Sequence, residues 1–195
     1  MTISEVATAD VLPRTVNGVP VDDLFKTVDA IKATPSIAKF NFRIFNQWHN
    51  AAKNKSAVDT YYGAGQEQSR PKPFVLEADE PPVLLGTDAA ANPVEHLLHA
   101  LAACLTTSMV YHAATRGIHI EEVESSLEGD IDLQGFLKLD KNARNGFQGI
   151  RANFKIKADT PDEQLQEVCQ LGPAHSPVFD SLTNGVPVSV SAKRL

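Results

Sequence analysis

The sequence predicts an α+β protein in which antiparallel strands pack around one long helix. Three segments in which apolar and polar residues alternate come first and are joined by short connections. A long helical pattern follows, and further strands and two short helices complete the chain. Runs of strands separated by runs of helices are typical of this fold class. Short connections between strands favour antiparallel pairing.

Residues 1–35 are assigned to an N-terminal arm and helix, separate from the main domain at residues 36–195. Gly18 and the prolines on either side interrupt any regular pattern, so residues 1–20 are expected to be irregular. Apolar residues at helical spacing then predict a helix over residues 22–32, which a proline ends.

Alternation of apolar and polar side chains predicts strands over residues 38–49, 56–63 and 73–79. The segment 63–73 between the second and third strands is polar and contains glycine and proline, which indicates a loop. With such connections the three strands are expected to form an antiparallel meander.

The longest helical pattern begins at Asn92 and ends near Arg116. Asn92 is a favourable N-cap, a proline occupies the first helical position, and Glu95 falls at the N3 position. Gly117 is a natural residue for the C′ position. Cys104 lies in the middle of this helix, on a face that also carries Leu101 and Ser108.

Beyond this helix, alternation indicates strand structure within residues 118–139, with bends at the glycines, and over residues 147–159. Thr160 begins a capping-box pattern with proline at the first helical position, so a helix should begin there. The Gly172-Pro173 pair is expected to end it.

Ser176 is followed by proline, and this pair predicts a second short helix with the serine as its N-cap. The helix should end near residue 184, where Asn-Gly follows. The last segment, residues 186–192, alternates and contains a proline, which is typical of an edge strand.

The charge of the chain argues against two classes of partner. The net charge is −6 over 195 residues, whereas nucleic acids and anionic membranes attract clustered Lys and Arg. No run of apolar residues is long enough to predict a transmembrane helix. The first ten residues lack the features of a signal peptide, so we expect a cytoplasmic protein.

The chain has two cysteines, Cys104 and Cys169. In a reducing compartment they are not expected to form a permanent disulfide, so each is either a buried inert thiol or a reactive one. Position alone favours a small buried apolar residue for Cys104. A reactive thiolate would need a cation supplied by another element, because its own helix provides none nearby.

The six histidines do not predict a metal site. His96 and His99 are three residues apart on the long helix, and the order EHLLH differs from the zinc-protease pattern of two histidines that enclose a glutamate. No metal and no cofactor are therefore expected.

The run NPVEHLLHALAACLTTSMVYHAATRGI resembles the central helix of the OsmC/Ohr family, in which a similar pattern carries a reactive cysteine. The run HSPVFDSLTNGVPVSV is similar to the second motif of that family. The resemblance covers about residues 38–191 and identifies residues 36–195 as an OsmC-like domain. It implies an OsmC-like fold and an intertwined homodimer with two sites at the subunit interface.

The resemblance also implies a reaction. Cys104 would attack an organic hydroperoxide and become a sulfenic acid, a second cysteine would resolve it as a disulfide, and an external dithiol would reduce that disulfide. In the family an Arg and a Glu hold the first thiolate; the guanidinium stabilises the thiolate and the carboxylate orients the guanidinium.

Three positions depart from the family pattern. Ser176 occupies the place of the second cysteine, and Cys169 lies seven residues earlier. Val94 stands where the family has its Glu, so that Glu95 is turned by about 100° around the helix. The nearest candidates for the family Arg are Arg70 and then Arg43.

We therefore expect a thiol-dependent organic hydroperoxide reductase of oxidative stress defence with the catalytic residues Cys104, Cys169, Glu95 and Arg70. The alternative is a stress protein of the same fold that binds a small apolar ligand and has little or no peroxidase activity.

Overall fold

The computed structural model describes residues 14–194, and the expectation for residues 1–13 lies outside this range. Strands β1 (Thr15–Val16) and β2 (Val19–Pro20) form a hairpin rather than the irregular arm that we expected. Its turn residues, Asn17 and Gly18, have φ angles of 53° and 75°. Asn-Gly favours this tight turn, so the local signal was present in the sequence.

Helix α1 (Val21–Ala33) extends the predicted helix by one residue at each end, and a 3₁₀ turn follows it. The β1–β2 hairpin is fixed to the rest of the molecule by the side chain of Asn17. This amide donates to the carbonyl of Ile118 and accepts from the backbone N–H of Ile120, at 3.0 and 2.8 Å. The N-terminal hairpin therefore packs next to the C-terminal end of the long central helix, Pro93–Thr115.

Two three-stranded antiparallel sheets follow, with the orders β3-β6-β7 and β4-β5-β8. The strands are β3 (Asn41–Phe42), β4 (Phe45–Asn50), β5 (Lys53–Val58), β6 (Tyr61–Gly63), β7 (Gln66–Gln68) and β8 (Phe74–Ala78).

The predicted meander is confirmed for β4-β5-β8, but two details of the prediction are wrong. Each of the first two predicted strands is broken and contributes to both sheets. The expected loop contains β7, which forms a tight hairpin with β6. Ala64 and Gly65 at the hairpin turn have φ angles of 53° and 82°, so the turn forces the polar segment back along β6.

Helix α2 (Pro93–Thr115) has the predicted caps. The side chain of Asn92 accepts from the backbone N–H of Glu95 at 2.9 Å, and the Glu95 carboxylate accepts from the backbone N–H of Asn92 at 2.8 Å. At the other end Gly117 has a φ of 74°, and the amides of residues 117 and 118 donate back to the carbonyls of Ala114 and Ala113. These bonds form a Schellman motif and end the helix as predicted.

The second half of the chain adds β9 (Ile120–Asp130), α3 (Leu133–Phe136) and β10 (Gly149–Ala158). The two long strands pair antiparallel over their whole length, with an irregularity at Lys157. The alternation noted over residues 118–139 therefore ends earlier than the pattern indicated, because Asp132 caps the short helix α3 with its side chain.

Helices α4 (Asp162–His175) and α5 (Pro177–Thr183) complete the regular structure. The predicted capping box at Thr160 is wrong: its hydroxyl donates to the side chain of Gln164, and the N-cap is Pro161, which has no side-chain cap bond. The predicted end at Gly172-Pro173 is also wrong. The helix continues through Pro173, because Gly172 allows α4 to lie directly against the backbone of α2.

Residues 186–192 form no strand in this chain, contrary to the expectation. Among the described residues no strand edge pairs with this segment. Val186, Val188 and Val190 are all exposed. An alternating sequence becomes a strand only where a partner edge accepts its backbone groups.

The main core lies between α2, α4 and the β9–β10 sheet. Its buried side chains come from all three elements and are Met109, Ala113, Ile118, Ile120, Val168 and Leu171. A Cβ atom on Gly172 would lie 3.0 Å from the carbonyl oxygen of Leu105. This close approach brings α4 against the middle of α2, and a side chain at position 172 would push the two helices apart.

The loop before α2 is held by Asp79, which is 1% exposed. One carboxylate oxygen accepts from the hydroxyl and backbone N–H of Thr87 and from the backbone N–H of Ala89. The hydroxyl bond of Thr87 and the backbone amides lower the pKa of Asp79 to about 2. The ionised carboxylate therefore fixes the path by which the chain enters α2.

The two N-terminal sheets carry large apolar side chains in solvent. Phe42 is 71% exposed and Trp48 is 70% exposed, and Phe45, Phe74 and Val75 are exposed as well. The chain exposes 14915 Å² in all, whereas a compact monomer of its mass should expose roughly 9,000 Å². The exposed aromatic and aliphatic side chains of the two sheets make part of this surface apolar.

By length and composition alone, α2 is the one helix of residues 14–194 that could cross a membrane. This is weak evidence, since the core helix of a globular domain meets the same criterion. Here α2 contacts α4, α5 and β9.

Candidate functional site

Cys104 lies in the middle of α2 and is half-buried. The buried stripe of the helix, formed by Leu101, Leu105 and Met109, lies beside it. Ser108 is one turn further along, about 6 Å along the helix axis. The thiol is therefore placed at the border between the core and the open face of the helix, where a nucleophile can be reached.

The junction between α4 and α5 lies against the same part of α2. The hydroxyl of Ser108 donates to the backbone carbonyl of His175 at 3.3 Å. Ser176 follows directly, is buried, and accepts the backbone N–H of Phe179 with its Oγ at 3.1 Å. The residue at the second-cysteine position is thus the predicted N-cap of α5, and it lies close to the face that carries Cys104.

Two histidines stack at this junction. The rings of His112 and His175 have centroids 3.6 Å apart and planes inclined by 14°. Burial lowers the pKa of His112, and the nearby charges of His175 and Arg116 lower it further. Sequence reasoning missed this pair. The only available signals were the four-residue step from Ser108 to His112 and the position of His175 before Ser176.

Glu95 is engaged elsewhere in this chain. Its carboxylate caps the first turn of α2, and nine residues separate it from Cys104, about 13.5 Å along the helix axis. Val94 occupies the adjacent position and is half-buried. Within one chain, α2 therefore brings no carboxylate to the thiol.

Arg70 and Arg43 both lie on the N-terminal sheets. Arg70 donates to the backbone carbonyl of Asp59 at 2.8 Å, and its guanidinium lies over the rings of Tyr61 and Phe74. Arg43 forms an ion pair with Glu67. No hydrogen bond or ion pair joins either arginine to Cys104. The structure of one chain therefore does not bring these cations and the thiol together.

Cys169 lies on α4, one turn before Gly172, and is half-buried. It lines a cavity of about 600 Å³ whose wall does not include Cys104. The two thiols therefore have different surroundings. Among residues 14–194, no three His, Cys, Asp or Glu side chains come together in a way that could hold a metal ion.

The stacked histidines give the junction a pH dependence. In the folded protein His112 binds a proton less readily than in the unfolded chain, so protonation of this histidine lowers the stability of the fold as pH falls below about 6.5. We expect the melting temperature of His112→Gln to fall less than that of the wild type between pH 7.5 and 5.5, by a few degrees.

Differential scanning calorimetry at both pH values measures this difference. His99→Gln, which removes an exposed histidine of the same helix, should keep the wild-type pH dependence. If the melting temperatures of His112→Gln and the wild type fell equally, His112 would not be the source of the pH dependence.

Solved structures share this fold at low sequence identity. An OsmC-like protein of Mycoplasma pneumoniae is 15% identical with a TM-score of 0.56, over 73% of this chain and 86% of that chain. An osmotic stress induced and detoxification response protein of Psychrobacter arcticus 273-4 is 13% identical with a TM-score of 0.54, over 73% and 88%. The organic hydroperoxide resistance protein OsmC of Legionella pneumophila is 14% identical with a TM-score of 0.52, over 74% and 91%.

A comparison of sequences identifies the family. No curated protein matches the chain. The family model for OsmC-like protein, however, matches residues 86–191, which is more than half of the chain and includes Cys104, the α4–α5 junction and the cavity beside Cys169. The chain therefore belongs to the OsmC family.

Proposed function

We propose that this protein reduces organic hydroperoxides with Cys104 as the nucleophile. The main support for this proposal is the position of Cys104, which is half-buried in the middle of the central helix of an OsmC-family chain. A solved structure of the same fold is that of an organic hydroperoxide resistance protein, which supports this reaction class. The protein would act in the cytoplasm in oxidative stress defence, where low-molecular-weight thiols are reduced.

The reaction begins with the thiolate of Cys104, which attacks the outer oxygen of the hydroperoxide. The O–O bond breaks, the leaving alkoxide takes a proton and departs as an alcohol, and Cys104 becomes a sulfenic acid. One thiol of an external dithiol then attacks the sulfur and releases water. The second thiol attacks this mixed disulfide, which restores the Cys104 thiol and leaves the dithiol as a cyclic disulfide.

This cycle uses one cysteine of the protein. Ser176 at the second-cysteine position cannot form a disulfide, and its Oγ caps α5. Cys169 belongs to a cavity whose wall does not include Cys104. A direct attack of the external dithiol on the sulfenic acid therefore fits this chain better than an internal resolving thiol.

We also propose that the active form is an intertwined homodimer. The exposed apolar side chains of the N-terminal sheets and the excess surface of the single chain support this assembly. Arg70 and Arg43 lie on these sheets, so the same assembly could supply a guanidinium from the partner subunit to the Cys104 thiolate. A cation from another element is what a reactive thiol at this position requires.

A second candidate function is the binding of a small apolar ligand with little or no peroxidase activity. The observation that favours it is that Arg70 and Arg43 are both engaged on the N-terminal sheets and, among residues 14–194, form no hydrogen bond or ion pair with Cys104. The two functions differ in whether Cys104 is oxidised by the bound molecule and then reduced again.

Replacement of Cys104 separates these functions. We expect Cys104→Ser to lower the rate of cumene hydroperoxide consumption with a dithiol by at least about 100-fold, because the reacting sulfur is removed. Stopped-flow measurement of peroxide loss tests this. Cys169→Ser is the matched control and should keep most of the activity. Equal, slow consumption by the wild type and Cys104→Ser would contradict the peroxidase proposal.

The assembly can be tested without a substrate. Light scattering at micromolar concentration should give the mass of a dimer. Phe45→Asp places a charge on an exposed apolar position of β4 and should weaken dimerisation at least about tenfold. Gln47→Asp adds the same charge to the same face of the strand without removing an apolar side chain, so it should have a smaller effect. A monomer mass for the wild type would overturn the dimer proposal.

A further inference from the structure

The cavity beside Cys169 is enclosed by α2, β10, α4, α5 and the loop between α3 and β10. Its volume of about 600 Å³ is within the range of small-molecule binding sites. Cys104 is not among its lining residues, although Leu101 and Leu105 on the same helix are.

One wall of the cavity is an apolar stripe of α2. Leu97, Leu101 and Leu105 line it at steps of four residues, so they cover about 12 Å along the helix axis. Phe154 of β10 and Phe179 of α5 complete this apolar surface. A row of three leucines of this length can lie alongside an extended alkyl chain.

Among the described residues that line the cavity, Arg144 from the loop before β10 is the charged one. Arg144 is exposed, so its guanidinium lies where the cavity meets solvent. Within residues 14–194 this arginine forms no ion pair. By contrast, Arg151 on the adjacent strand is paired with both Glu128 and Asp130.

The polar side chains of Gln148 and Gln170 also line the cavity. Together with Arg144 they provide hydrogen-bond donors at an otherwise apolar cavity. A guanidinium without an acidic partner matches a planar carboxylate, which it can bind with two parallel hydrogen bonds.

We propose that this cavity binds a medium-chain carboxylate. The carboxylate forms a bidentate ion pair with Arg144, and the alkyl chain lies along Leu97, Leu101 and Leu105 towards Phe179. Cys169 lines the same cavity and reports on its occupancy. The proposal does not rest on the peroxidase reaction, because it uses no atom of Cys104.

The test uses Cys169 as the reporter in the full-length Cys104→Ser protein, where it is the only thiol. The rate of alkylation by iodoacetamide is followed by mass spectrometry against decanoate concentration. We expect saturating decanoate to slow alkylation of Cys169 at least about fivefold. The concentration dependence gives the dissociation constant.

Arg144→Gln in the same background should raise the dissociation constant for decanoate about tenfold or more, since the charge-assisted pair is lost. The constant for decan-1-ol, which has no carboxylate, should stay within about twofold. Lys141→Gln removes a neighbouring exposed cation that does not line the cavity and should change neither constant.

Ala152→Trp provides a second test that does not depend on Arg144. Ala152 is an exposed residue of β10 that lines the cavity, so a large ring there should fill it and abolish protection by both ligands. The absence of any protection in the Cys104→Ser protein would overturn the proposal. Equal dissociation constants for decanoate with and without Arg144 would overturn it as well.

Discussion

The close contact between Gly172 of α4 and the carbonyl of Leu105 on α2 determines where the functional groups of this protein lie. A Cβ at position 172 would lie 3.0 Å from that oxygen, so any other residue would require the two helices to move apart by a few tenths of an ångström. The contact places the α4–α5 junction, with His175 and the buried Ser176, against the turn of α2 that follows Cys104. Leu105 also lines the cavity beside Cys169.

The N-terminal sheets contrast with this tightly packed half. Their strands expose aromatic and aliphatic side chains and meet α2 chiefly near its first turns, where His96 contacts the carbonyl of Glu77 at 2.9 Å. The helix that carries the thiol and the sheets that carry Arg70 and Arg43 are therefore separate surfaces of one chain. The proposed assembly with a second copy would cover the exposed sheets and could bring a guanidinium to Cys104 from the partner subunit.

Local signals predicted the caps of α2 and the N-cap at Ser176, because these bonds involve residues within one turn of the chain. The errors have longer-range causes. Thr160 bonds to Gln164 instead of the backbone, and α4 continues through Pro173 because packing on α2 outweighs the loss of one helical bond. Residues 186–192 alternate as a strand but have no partner edge among residues 14–194. The His112–His175 stack joins residues far apart in sequence.

Chemical trapping of the oxidised cysteine tests the central claim most directly. After brief exposure of the full-length protein to cumene hydroperoxide, dimedone labels any sulfenic acid, and peptide mass spectrometry locates the label. The account predicts a dimedone adduct on Cys104 and little or none on Cys169. An adduct on Cys169 alone, or no adduct on either cysteine at concentrations that consume peroxide, would contradict the assignment of Cys104 as the nucleophile.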